Sequence, residues 1–126
     1  MTRMFFTAAI ALLMLAACAG DSTLTIEDNG DRIELIPGGE IQIALDGNIT
    51  TGFAWNLVEY DAAVIETTGE PTYEEDGGDV TGAGGRWTWT MQAVAAGESP
   101  VRFEYRRPWE DVPPQSTFAI VVAVAP

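Results

Sequence analysis

The 126-residue sequence predicts an all-β domain, a sandwich of seven to eight short antiparallel strands. Two observations carry that expectation. Apolar residues recur with period two in several separate stretches, the alternation of a strand with one buried face. Clusters of Gly, Pro and Asn punctuate these stretches at short, fairly regular intervals, while no segment past the first 17 residues shows a 3.6-residue apolar period.

Taken in order, Leu24 and Ile26 alternate, as do Ile33 and Leu35, and Asn29-Gly30 between them reads as a hairpin turn. Pro37-Gly38-Gly39 is the next turn, followed by Ile41, Ile43 and Leu45 in strict alternation. Phe53 to Tyr60 forms an aromatic strand, with Phe53, Trp55 and Leu57 on one face. Val64–Thr68 and Thr72–Glu75 are shorter strands split by Gly69-Glu70-Pro71. From Arg86 to Val94, Trp87, Trp89, Met91 and Ala93 alternate with polar residues. Ala96-Gly97-Glu98 turns into a strand carrying Val101, Phe103 and Tyr105. The near-continuous apolar run Thr117–Val124 is expected of a strand covered on both sides.

The first 17 residues read as a processing signal rather than as structure. Arg3 supplies the positive start, and Met4–Leu15 is an uncharged apolar run too short to span a bilayer comfortably. Leu15-Ala16-Ala17-Cys18 is similar to a bacterial lipobox, in which cleavage leaves an acylated N-terminal cysteine. Cys18 is the sole cysteine of the chain and falls at that boundary. The chain therefore divides into a signal at 1–17, an acylated cysteine with a short tether at 18–25, and one domain at 26–126. Several acyl chains on Cys18 would anchor it stably in the cell envelope. Ala19, in place of an aspartate, favours the outer membrane.

Loss of Arg3 leaves 5 arginines against 19 acidic residues, one unit more negative than the −13 of the whole chain. Such a surface repels nucleic acid and anionic headgroups, so the lipid is the only expected membrane contact. Histidine is absent, the lone cysteine is the lipidation site, and no carboxylate pair sits in a recognisable pocket motif. No enzyme and no cofactor are implied, and a monomer is expected.

Three inter-strand stretches have unusual compositions. Asp46-Gly47-Asn48 is turn chemistry. It leads into Ile49-Thr50-Thr51-Gly52, with Gly52 free to take a positive φ just before the aromatic strand. This is either a polar turn or a loop built to present its threonines. The second stretch, Glu74–Gly85, holds five glycines between Gly77 and Gly85. Its carboxylates do not match an EF-hand spacing, so the acidic residues read as solvated and the loop as exposed backbone able to lie along another protein. The third is Arg106-Arg107-Pro108-Trp109-Glu110-Asp111-Val112-Pro113-Pro114. Trp109 between prolines either stands proud as a binding anchor or folds back as a plug with Arg107 paired to Glu110. Placed between successive strands, the loops would gather at one end of the sandwich, as in immunoglobulin-like domains.

Asn48-x-Thr50-Thr51-Gly52-Phe53-x-Trp55, then Gly82-x-Gly84-Gly85, then Arg107-Pro108-Trp109-Glu110, resembles the three-motif signature of the chagasin family. Those proteins are immunoglobulin-like inhibitors of papain-like (clan CA) cysteine peptidases. The resemblance covers essentially the whole domain. It departs at Ile49, where the family usually has proline, and at Phe53, where tyrosine is common. It implies a reversible, competitive inhibitor. Asn48, Ile49, Thr50, Thr51, Gly52 and Phe53 would enter the active-site cleft with the threonines near the catalytic cysteine. Gly82, Gly84 and Gly85 would lie along the non-primed side, and Arg107, Pro108 and Trp109 would flank the other. The rival reading is an exported immunoglobulin-like adhesion or envelope-scaffold lipoprotein that binds another envelope component. A Thr51→Arg substitution separates the two, because only an inhibitor loses activity against a peptidase.

Overall fold

The structure, a computed structural model, describes residues 22–75 and 84–126. The segment read as a signal, Cys18 and Gly82 lie outside the described residues. Among the described residues nine strands, against the seven to eight expected, form two facing sheets: β1 Ser22–Leu24, β2 Arg32–Leu35, β3 Glu40–Gly47, β4 Ala54–Glu59, β5 Ile65–Thr67, β6 Thr72–Glu75, β7 Gly85–Ala93, β8 Gly97–Arg106 and β9 Ser116–Val124. One sheet runs β1-β3-β7-β5, with β6 also paired to β7, and the other runs β2-β9-β8-β4. The sandwich and its immunoglobulin-like character are as the sequence implies.

The period-two stretches build the core. Ile41, Ile43 and Leu45 of β3 face Trp87, Trp89 and Met91 of β7 across an antiparallel ladder, all of them buried. From the other sheet come Val101 and Phe103 of β8 and Phe118, Ile120 and Val122 of β9. Trp89 meets Phe103 at 4.6 Å between ring centroids, and Phe103 meets Phe118 at 6.0 Å, so a line of tilted aromatics joins the two layers. Ser99 is the one fully buried polar residue among the described core positions. Its hydroxyl accepts from Asp61 N at 2.8 Å and donates to Pro100 O at 2.8 Å, which ties the β4–β5 connection to β8 without an unsatisfied group. Both sheets contribute side chains to one buried cluster.

Four expectations need correction. Asn29-Gly30 is not a hairpin turn, because its flanking strands belong to different sheets. Thr25 and Asp28 cap a 3-10 turn over Ile26–Asp28, with Glu27 N donating to the Thr25 hydroxyl and Thr25 N to the Asp28 carboxylate. That turn carries the chain across the sandwich. Asn29 Oδ1 then accepts from Ala119 N at 2.7 Å, and Gly30 N donates to Ala119 O at 2.7 Å, extending the edge of β2. Second, the strands are not all antiparallel: β1 pairs with β3, and β2 with β9, in parallel. Third, Ser22–Leu24 is a strand, not tether, and Leu24 reaches the core. Fourth, β9 is not covered on both faces. Phe118, Ile120, Val122 and Val124 are buried while Val121 on the other face is exposed. Its apolar run comes from the small residues Ala119, Val121 and Ala123 on that outer face.

Candidate functional site

Strand register gathers the three unusual stretches at one pole. Gly47, the end of β3, pairs with Gly85, the start of β7. Ala54, the start of β4, pairs with Arg106, the end of β8. The connections 48–53, 76–84 and 107–115 therefore all leave the sandwich on the same side.

The first connection is wound rather than extended. Ile49–Thr51 is a 3-10 turn, and Asn48 is its N-cap, with Oδ1 accepting from Thr50 N at 3.0 Å. The same oxygen accepts from the Thr50 hydroxyl at 2.6 Å, and the Thr51 hydroxyl donates to Asn48 O at 2.6 Å. Both threonines are exposed, yet their hydroxyls tie the turn to itself. Gly52 ends the turn at φ +86, a left-handed conformation that L side chains rarely adopt. Phe53 follows, half-buried.

In the second connection the described glycines are shaped by their neighbours. A Cβ on Gly85 would overlap the Tyr73 hydroxyl and ring carbon of β6 and lie 2.6 Å from Glu74 O. One on Gly84 would lie 3.0 Å from Gly47 O, so β3 and the start of β7 run close because neither bears a side chain there. Gly82, Asp76 and Asp79 lie outside the described residues.

The third connection clasps the first. Arg107 Nε donates to Thr51 O at 2.9 Å, and its guanidinium carbon sits 4.4 Å from the centroid of Phe53, a cation–π contact. Arg107 Nη1 also meets Glu110 at 3.3 Å, within a turn closed by Glu110 N to Arg107 O at 3.1 Å. Pro108 and Trp109 are exposed, Trp109 at 69%. One edge of the indole lies against Gly52, where a Cβ would come within 2.5 Å of Cη2. Trp109 therefore stands proud and does not plug the sandwich, although the Arg107–Glu110 pair of the plug reading does form. Arg106 Nη2 donates to Val112 O, and Gln115 N donates to Tyr105 O at 2.9 Å, closing the loop at its base.

One residue of this pole escaped the sequence reading. Tyr105 continues the inward alternation of Val101 and Phe103 and reads as core. Its ring lies 5.2 Å from Phe53 and 5.0 Å from Trp55, while its hydroxyl accepts from Asn48 N at 2.9 Å. Only its hydroxyl separates it from a core phenylalanine, and a period-two pattern does not register that group.

Comparison with known proteins decides the family. The family described as "Chagasin family peptidase inhibitor I42" matches residues 34–122. The chain belongs to the chagasin family. Chagasin itself, from Trypanosoma cruzi, is 32% identical over 92 residues, 68% of this chain and 81% of that protein. Amoebiasin-1 from Entamoeba histolytica is 28% identical over 102 residues, 81% of this chain and 98% of that protein. Among solved structures, the cysteine protease inhibitor EhICP2 from Entamoeba histolytica superposes with a TM-score of 0.74 at 22% identity, over 82% of this chain and 94% of that one. PbICP-C, solved in complex with falcipain-2, superposes with a TM-score of 0.64 at 20% identity, over 83% and 99%. The chagasin family consists of peptidase inhibitors rather than enzymes, so the expectation of a non-enzymatic chain stands on family membership.

Proposed function

We propose that this chain is a reversible, competitive inhibitor of papain-like cysteine peptidases, acting through the three connections at the loop pole. The observation that carries the reading is the clasp between the first and third connections. Arg107 bonds Thr51 O and lies on Phe53, while Trp109 lies against Gly52, so the two loops brace each other as one edge. A peptidase cleaves an extended peptide whose scissile carbonyl is aligned with its nucleophile. Residues 49–51 are wound into a 3-10 turn capped at both ends, which offers no such alignment. The threonines would sit near the catalytic cysteine and block it without being cut. Stiffness also lowers the ordering cost of binding, and Trp109, exposed and held by its neighbours, is the kind of anchor that dominates interface energies. The residues assigned to the peptidase are Asn48, Ile49, Thr50, Thr51, Gly52, Phe53, Gly82, Gly84, Gly85, Arg107, Pro108 and Trp109. The complex of PbICP-C with falcipain-2 supports the class of partner. The domain would act as a monomer, exported and held through a lipid on Cys18 in the outer membrane; loss of detergent-phase partitioning in Cys18→Ala is the expected sign of that anchor.

The test titrates the chain from Ala19 onward into papain and a cathepsin L-type enzyme with a fluorogenic substrate. Competitive inhibition is expected. Thr51→Arg forces a bulky cation into the cleft, and Trp109→Ala removes an anchor; each is expected to weaken inhibition by about 30-fold or more, the scale of a hot-spot loss of about 2 kcal/mol. Trp109→Ala should leave the melting temperature unchanged, since the side chain is mostly exposed. Inhibition indifferent to both substitutions would overturn the reading.

A further inference from the structure

We infer that Tyr105 is the positioning residue of the loop pole, setting the geometry of the peptidase-facing edge without itself touching the peptidase. The inference rests on the inhibitor reading above. Tyr105 stands two residues before Arg107 on β8, and it meets the base of each connection. Its hydroxyl accepts from Asn48 N at 2.9 Å, at the cap of the 3-10 turn. Its ring stacks on Phe53 at an interplanar angle of 21°, where the first connection returns to the sheet. Its edge meets Trp87, two residues into β7 from Gly85, at 6.3 Å. Its carbonyl accepts from Gln115 N and closes the third connection.

The neighbours leave little room for another arrangement. A Cβ on Gly47 would lie 2.7 Å from Tyr105 Cε1 and 2.9 Å from the hydroxyl, so the bare backbone of Gly47 is what admits the phenol across the gap between sheets. Tyr105 thus bridges the sheets where the loops leave them, and its hydroxyl fixes the height of the turn over the ring stack. The ring is half-buried beneath Phe53, and the exposed tips of the loops lie beyond it. Phe53 offers no hydroxyl, and the Asn48 amide donates to the Tyr105 hydroxyl on β8.

The test uses the chain from Ala19 onward with Tyr105→Phe, which keeps the ring stack and removes only the acceptor. Amide exchange by NMR reads the turn directly. The Asn48 amide should lose protection and shift, while amides of the β3–β7 ladder keep theirs. The inhibition constant should rise about five-fold, the scale of one lost hydrogen bond, with a faster dissociation rate and nearly the same association rate. An Asn48 amide unchanged in Tyr105→Phe, or an inhibition constant and dissociation rate unchanged in that variant, would overturn the inference. If the parent chain inhibits no papain-like enzyme, the inhibitor reading falls, and the peptidase-facing role inferred for Tyr105 falls with it. The amide measurement would still decide whether Tyr105 holds the turn.

Discussion

Ile49 occupies the first position of the 3-10 turn, where a backbone N–H has no partner within the turn and a fixed φ is an advantage. Proline suits that position, and it also holds the preceding residue in the extended region. Asn48 is already there, at φ −134 and ψ 103. The chain thus keeps the geometry that proline would impose while relying on Asn48 Oδ1 and two threonine hydroxyls to hold it. Ile49→Pro is expected to stabilise the domain by about 0.4–1 kcal/mol, chiefly by restricting the unfolded chain, as read by urea denaturation. A destabilised variant would mean that the Ile49 amide is engaged after all. At this scale Arg107 is the residue whose duty changed most between sequence and structure. Beside Trp109 it reads as a contact aimed outward or as a partner of Glu110; it meets Glu110 and also bonds Thr51 O, bracing the first loop.

Among the elements, β6 is the one whose seat is most exacting. It shares one edge of β7 with β5, and Gly69-Glu70-Pro71 separates the two short strands. Tyr73 crosses Gly85 so closely that a methyl group there must displace the β6 backbone as well as the phenol. Gly85→Ala is expected to cost about 1–3 kcal/mol, measured by chemical denaturation, and to weaken inhibition by moving one root of the glycine-rich connection. Gly84→Ala meets only Gly47 O at 3.0 Å and should cost less. Strands β3, β7 and β8 were legible because each sets at least three large apolar residues in strict alternation on its core-facing side. Strand β1 was not. Three residues carry too little pattern, and a parallel partner leaves no turn signal between the paired strands. Strand β2 was read from Ile33 and Leu35, but its parallel pairing with Val121–Val124, at the far end of the chain, was not. The crossing turn at Ile26–Asp28 was legible in principle, since Thr25-x-x-Asp28 is a capping pattern, but Asn29-Gly30 gave the louder signal. The loop pole was readable from composition, whereas its internal bracing depends on which atoms of Tyr105 and Arg107 meet across strands.

For the whole molecule, the absence of histidine and lysine fixes the electrostatics. Apart from a free α-amino group, nothing in the chain has an ordinary pKa between about 6 and 8. Arg32 and Arg102 are raised further above the usual arginine value, first by hydrogen bonds to Glu98 and Glu104 respectively. A raised cation contributes its stability below its unfolded pKa and loses it only as pH climbs through the folded one, far above any working pH. Any change of the inhibition constant between about pH 6 and 8 is therefore expected to follow the titration of the peptidase, with midpoints that differ between two peptidases; a common midpoint would contradict this. The parallel placement of β1 also gives the molecule a direction. Ser22 pairs with Ile41, at the start of β3, so the chain joins the body about 20 Å along the strand from the loops at Gly47. Residues 19–21 can bridge at most about 10 Å. With a lipid on Cys18, the body would rest on the bilayer by its blunt end, and its working edge would be held off the surface facing water. Anchored in that way, the protein would meet enzymes that arrive from solution before they reach the membrane.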